Sequence, residues 1–299
     1  MAITISKRLE VLKTYKIYIG GQFPRTESGR YYTPTNKAGK ALANVCLSSR
    51  KDFREAVVAA RGAFGGWSAR AAFNRGQILY RIAEMLEGRK AQFIDELMQQ
   101  DATKVQAEAE VHASIDRLIY YAGWCDKFQQ VFSSVNPVAS SHFNFSAPEP
   151  TGVVSIIAPQ ATSLLGMVSV IAPVIAGGNT CIVLASETKP FCAVTFAEVI
   201  NSSDVPGGVV NILTGKPSEL VKYFADHMDV NAMIYCESDA ATHKIIQEKA
   251  ALNVKRAIFY DKVKWNNDEA ETPYFIMDTQ EIKTTWHPIE NIGGAKAGY

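Results

Sequence analysis

What the 299-residue chain lacks narrows its function first. Neither charge is in excess: Lys and Arg number 31, Asp and Glu 30, and the formal net charge is +1. With no Lys/Arg run either, the electrostatic footprint of a nucleic-acid or anionic-membrane binder is missing. Cysteine is scarce. The five residues (Cys46, Cys125, Cys181, Cys192 and Cys236) are odd in number, scattered and never in C-x-x-C spacing. This argues against a disulfide framework, a zinc site or a redox pair, and makes a reducing cytoplasm the expected location. The five histidines (His112, His142, His227, His243 and His287) never adopt ligand spacing, so no metal site is expected. No apolar run reaches the ~18 residues of a spanning helix, and MAITISKRLEVLKTYK has no signal-peptide core, so neither secretion nor membrane insertion is expected.

What is present is an ordinary globular composition, 47% hydrophobic and 20% charged, long enough to bury a large core in one or two domains. Residues 16–34, KIYIGGQFPRTESGRYYTP, predict a hairpin about the Gly20-Gly21 turn. Ser49, with Asp52 in the first turn, predicts a helix start, and Phe53, Ala56, Val57, Ala60 and Phe64 give its apolar stripe up to a stop at Gly65-Gly66. Helical periodicity returns over residues 75–100, interrupted near Gly88, and over 107–128. Residues 129–149 are Ser/Pro-rich with alternating Phe143 and Phe145, a two-stranded excursion from the main body. From 151 to 260 five apolar runs (153–158, 180–185, 208–213, 231–236 and 255–260) alternate with helical stretches. The fold class expected is therefore α/β, a Rossmann-like parallel sheet preceded by N-terminal helices. The stretch 261–299 contains one further β-prone run, 283–289, and a Gly-containing tail.

Candidate chemistry is thin. Cys181 and Cys236 fall inside predicted buried strands, where a thiol is a poor nucleophile, and Cys125, near a helix end, is the candidate for partial exposure. After the first core strand, where G-x-G-x-x-G would cradle a pyrophosphate, stands APQATSLLG, with Gly166 expected well inside the helix. After the fourth core strand, CESDAATHK offers Glu237 and Asp239 where a phosphate would approach. Carboxylates at a helix start suit its dipole and repel an anion.

Several stretches together resemble the aldehyde dehydrogenase superfamily: YIGGQF (18–23), SSRKDFREAVVAARGAFGGW (48–67), EPTGVVSIIAP (149–159), IAPVIAGGNTCIVLASETKP (171–190), VPGGVVNILTG (205–215) and DTQEIKTTWHP (278–288). The resemblance implies a coenzyme-type domain, and most of the family's functional positions have changed. The P-W-N segment whose Asn steadies the oxyanion corresponds to Pro159-Gln160-Ala161, a loss that typically costs ~10²–10³ in rate. The ribose-binding lysine corresponds to Leu184, while its companion Glu187 survives. The G-S-x-x-x-G turn aligns near 238–243 without its glycines, and the general-base Glu falls near Tyr260. After Tyr260 the sequence passes through DKVKWNNDEAETPYF to tail-like sequence, as though the catalytic domain had been excised.

The resemblance thus divides the chain into 1–128 (N-terminal hairpin and helices), 129–149 (oligomerisation hairpin), 150–262 (Rossmann-like core) and 263–299 (linker and C-terminal oligomerisation strand). It implies a non-catalytic structural or regulatory subunit that pairs with an active aldehyde dehydrogenase or with itself, through a small β-sheet carrying Phe143, Phe145, Thr285 and Trp286. No catalytic residue, metal or bound cofactor is expected; Glu187 and Gly215 are vestiges of a site for NAD or NADP. The alternatives are an NAD(P)-dependent aldehyde oxidoreductase with an atypical site, and a small-molecule-binding regulator using a cleft near Glu187 and Gly215.

Overall fold

A computed structural model describes residues 11–289, so the first ten residues and the Gly-containing tail lie outside it. The chain opens with two short strands, β1 (Thr14–Tyr15) and β2 (Tyr31–Tyr32), which flank β3 (Asn44–Cys46) in a three-stranded sheet. The hairpin expected over residues 16–34 forms about Gly20-Gly21 but spans only 17–24, where the Ile17 amide donates to the Pro24 carbonyl at 3.2 Å and Ile19 and Gln22 exchange bonds of 3.0 and 2.9 Å. Gly20 and Gly21 take φ of 60° and 82° between the bridged Ile19 and Gln22. Between those pairs Tyr18 faces the other way and exchanges two 2.8 Å backbone hydrogen bonds with Ile212 at the edge of the main sheet.

The first helix, α1 (Arg50–Ser68), begins in a capping box. Ser49 accepts from the Lys51 and Asp52 amides, and Asp52 accepts from the Ser49 amide at 2.6 Å. It runs through Gly65-Gly66 rather than stopping there. Trp67 is 1% exposed and its Nε1 donates to the Ile175 carbonyl at 3.0 Å, an anchorage that outweighs a glycine cost of about 1 kcal/mol per residue. Next come α2 (Ala72–Gly88), α3 (Lys90–Gln99), α4 (Lys104–Trp124), capped by Thr103 with Gln106, and the short α5 (Phe128–Phe132). Cys125, expected to be partly exposed, is buried at the end of α4.

The excursion is confirmed as β4 (Ser134–Asn136) and β5 (His142–Pro150). The core then alternates β6 (Val153–Ile157), α6 (Leu165–Ala176), β7 (Thr180–Leu184), α7 (Phe191–Asn201), β8 (Val210–Leu213), α8 (Pro217–Asp226), β9 (Ala232–Tyr235), α9 (Ala240–Ala251) and β10 (Arg256–Phe259). All five strands are parallel, in the order β10-β9-β6-β7-β8. Side chains alternate between the faces. Val154, Ile156, Cys181 and Val183 join the core under α6, α7 and the N-terminal helices, whereas Val153, Ile157, Ile182 and Leu184 join the one under α1 and α8. Gly166, expected deep in its helix, is the second residue of α6.

The linker expected after residue 262 is a packed part of the core. Trp265 and Ile276 are buried, a 3₁₀ turn covers Asp268–Ala270, and α10 (Tyr274–Met277) follows. The chain then enters β11 (Gln280–Pro288), which pairs antiparallel with β5 over nine residues, giving a second three-stranded sheet ordered β11-β5-β4. Among the described residues no helix is long and apolar enough to cross a membrane.

Candidate functional site

In an open parallel sheet, ligands sit outside the carboxyl ends of the strands, where the strand order reverses. Here the reversal lies between β6 and β9, and the loops after β6, β7 and β9 meet there. Gln160 ties them together. Its amide donates to Glu237 Oε1 at 2.7 Å, its side-chain oxygen accepts from the Glu187 amide at 2.8 Å, and its carbonyl accepts from Ser186 Oγ at 3.0 Å. Gln160, next to the Ala161 that the resemblance sets in place of the donor Asn, is therefore a structural stitch, and the Glu237 carboxylate bridges the crevice.

A cleft of about 400 Å³ opens here, lined by Gln160, Glu187, Pro217, Tyr235, Asp239 and Thr242 among others. Glu187 is thus in the expected place, whereas Gly215 is not a lining residue. It takes φ of 154°, and a Cβ there would stand 3.3 Å from the Ser48 amide nitrogen. Asp239 caps α9, accepting from the Ala241 and Thr242 amides and the Thr242 hydroxyl. Those hydrogen bonds, the Thr242 hydroxyl first, hold its carboxyl below the usual range.

The other helix pointing at the crevice, α6, is capped from a distance. Glu110 on α4 places Oε1 at 3.1, 2.8 and 3.2 Å from the amides of Ser163, Leu164 and Leu165. Nothing in the sequence around Glu110 signals this role, because its partners lie more than fifty residues away. Glu110 also borders a larger cleft of about 580 Å³ that includes Lys37, Asp101, Thr162, Lys189 and Asn266.

Leu184 is fully buried at the end of β7. Tyr260 is buried too, its hydroxyl donating to Asp278 at 2.7 Å; burial and that carboxylate push its pKa well above the ordinary value. The five thiols are all buried. Burial pushes Cys125 up to about 12 and raises Cys181, Cys192 and Cys236 as well, so none is a ready nucleophile. No group of His, Cys, Asp and Glu among the described residues is arranged to hold a metal ion.

The four expected interaction residues lie on the second sheet, divided between its faces. Thr285 stands opposite Phe145, and the Phe143 and Phe145 rings are 5.7 Å apart on the same face. Trp286 points to the other face, against His142 at 5.8 Å.

The sequence profile of the aldehyde dehydrogenase family matches residues 16–260. The mouse cytosolic 10-formyltetrahydrofolate dehydrogenase is 31% identical over 256 residues, which are 84% of this chain and 28% of that protein. Among solved structures, the NAD+ complex of an aldehyde dehydrogenase from Bacillus cereus superposes with a TM-score of 0.77 at 25% identity, covering 83% of this chain and 50% of that one. HpcC from Thermus thermophilus gives 0.78 at 26%, covering 83% and 48%. The chain thus spans half or less of the length of these relatives.

Proposed function

Because the chain belongs to the aldehyde dehydrogenase family, we propose that it is a non-catalytic member: a structural or regulatory subunit that pairs with an active aldehyde dehydrogenase or with itself. One observation carries the proposal. The helix N-termini that face the switch point, the natural seats for a pyrophosphate, are already filled by the chain's own carboxylates, Glu110 reaching from α4 to cap α6 and Asp239 capping α9. A third carboxylate, Glu237, spans the crevice between them. The residues present do not fit NAD or NADP. A dinucleotide would have to displace two internal caps and approach three acids, with Leu184 where a basic group would hold the ribose. The thiols are all buried, and Tyr260, where the family's general base would fall, is engaged in donating to Asp278.

Pairing is supported by the second sheet. Residues 260–279 alone separate the core from β11, so the chain passes directly from the coenzyme-type sheet to the small antiparallel one. That sheet exposes Val135, Phe143 and Trp286 and, among the described residues, its edges are unpaired, a feature that soluble proteins ordinarily cover. Calorimetric titration with NAD+ and NADP+ tests the non-catalytic role: no heat of binding is expected at millimolar coenzyme, and a micromolar isotherm would overturn it. Such binding would favour the alternative, an NAD(P)-dependent aldehyde oxidoreductase with an atypical site, which draws on Glu187 lining the 400 Å³ cleft.

A further inference from the structure

A further cleft, of about 460 Å³, opens where β1 and the entry to β3 meet α3, bordered by Lys13, Tyr15, Leu42, Ala43, Asp95 and Glu96 among others. None of these six borders the switch-point cleft. Glu96 is 4% exposed, and its two carboxyl oxygens have unequal surroundings. Oε1 accepts from the Thr195 hydroxyl at 2.7 Å and the Tyr15 hydroxyl at 3.0 Å, and the Lys13 ammonium stands 3.9 Å from it. Oε2 is buried with no partner. A buried carboxyl oxygen in that position is costly, so it calls for a hydrogen-bond donor that the chain does not supply.

The chain's own cation shows which donor fits. Lys13 holds its ammonium over the Tyr15 ring, 4.1 Å from the centroid. That ring is fixed by stacking on Phe191 at 4.8 Å and by its hydroxyl bond to Glu96. Lys13 is pinned at its backbone, where its carbonyl accepts from the Asn44 amide at 2.9 Å, and its ammonium stops short of hydrogen-bond distance to Glu96. Its side chain is 55% exposed and can swing out into water. We propose that this cleft binds a primary aliphatic amine, as its ammonium, in the place of the Lys13 ammonium. The ligand's N–H groups bond Glu96, its charge faces the Tyr15 ring, and its alkyl stem lies against Leu42 and Ala43. Unlike Lys13, a free ammonium has no tether and can close on Oε2. Asp95, exposed at the rim, adds negative charge. The other ionisable groups around Glu96 are Lys13 and Tyr15 at β1 and Glu198 and Cys192 on α7, with Glu198 already paired to Arg89. Burial holds the Glu96 carboxyl above its ordinary value, and an ammonium favours the carboxylate. Amine binding therefore releases a proton where Glu96 titrates, and tightens as pH rises through that range.

Calorimetric titration of the full chain with n-propylammonium chloride tests the site, with tetramethylammonium and sodium chlorides compared at equal ionic strength. Propylammonium is expected to saturate with a Kd below about 1 mM. Tetramethylammonium, which has no N–H, and sodium are each expected to bind at least about tenfold more weakly. Lys13→Ala removes the competing ammonium and should tighten propylammonium binding at least about threefold. Glu96→Gln, with unchanged circular dichroism, should weaken it at least about tenfold. Titration of the parent in two buffers of different ionisation heat should show the released proton at acidic pH, a readout that needs no variant. Any of four results overturns the proposal: no saturation in either the parent or Lys13→Ala, equal binding of tetramethylammonium or sodium, unchanged affinity in folded Glu96→Gln, or binding in the parent without proton release at any acidic pH.

Discussion

Arg117 offers the sharpest test of how the segment after β10 is held. It lies on α4 with its side chain 2% exposed. Its guanidinium donates to Glu271 at 3.1 Å, Ser169 Oγ at 2.9 Å, the Ala270 carbonyl at 2.8 Å, and the Trp265 and Asn267 carbonyls at 3.4 Å. One fork thus gathers residues 265–271 onto the core and seats Trp265. Arg117→Ala removes every one of these bonds and leaves the Ala270 carbonyl to find a new donor. Losing one partner of a buried, hydrogen-bonded ion pair costs about 3–5 kcal/mol, and Glu271, 22% exposed, recovers part of that by turning to water. We expect about 3 kcal/mol in guanidinium unfolding. If the loss is local, trypsin cleavage after Lys262 and Lys264 should accelerate roughly a hundredfold, since each 1.4 kcal/mol is tenfold in the open population. Arg117→Lys keeps the charge but not the planar fork, and should recover less than half of the loss. A stability change under about 1 kcal/mol with unaltered proteolysis would refute the reasoning.

Three further outcomes follow from buried groups. Glu96 is 4% exposed and its carboxyl is raised above 4.5, chiefly by burial, while the hydroxyls of Thr195 and Tyr15 and the Lys13 ammonium oppose the shift and Glu198 adds to it. The fold therefore prefers neutral Glu96. Its stabilisation is complete below the unfolded pKa and is lost as pH rises through the folded one, so Glu96→Gln should flatten the decline in stability above pH 4.5. Thiol titration should find none of the five cysteines reactive in the native chain and all five in guanidinium; labelling of Cys125 in the native state would contradict its burial. A Cβ on Gly166 would stand 2.4 Å from Thr162 Oγ1 and 2.8 Å from Pro159 Cγ, so Gly166→Ala should cost about 1–3 kcal/mol by thermal melt, and adding Thr162→Ala should relieve part of it.

The five core strands were legible because each is a short apolar run bounded by helical periodicity, and both faces of the sheet are covered, so the pattern has a single explanation. The Ser49 start of α1 was legible because a capping box is local chemistry. Features fixed by distant contacts were not. Gly65-Gly66 looked like a stop because the anchor for Trp67 lies on α6, over a hundred residues on. That the hairpin at Gly20-Gly21 also pairs with the main sheet, Tyr18 to Ile212, could not be read from its turn residues. The residues after β10 read as a short acidic linker because the fork that orders them comes from α4. At the candidate site the substituted positions Gln160, Leu184 and Tyr260 could be named from the sequence, while the Glu110 cap could not.

That cap explains how the fold tolerates an anion seat with no anion. The N-terminus of α6 is buried, and Ser163, Leu164 and Leu165 are each 3% exposed or less, so three amides there need an acceptor. Each left unsatisfied costs about 1–3 kcal/mol. A bound phosphate could supply the acceptor; in this chain Glu110 does, with one oxygen. Glu110→Ala should then lose about 3 kcal/mol and, unlike the parent, regain stability when phosphate or sulfate is added, because the vacated seat would accept an outside anion. Thermal melts of both chains across a phosphate series, with chloride at matched ionic strength, measure the difference. If the variant melts alike in phosphate and chloride, Glu110 is not standing in for an anion, and the acidic crevice would owe its character to Glu237 and Asp239 alone.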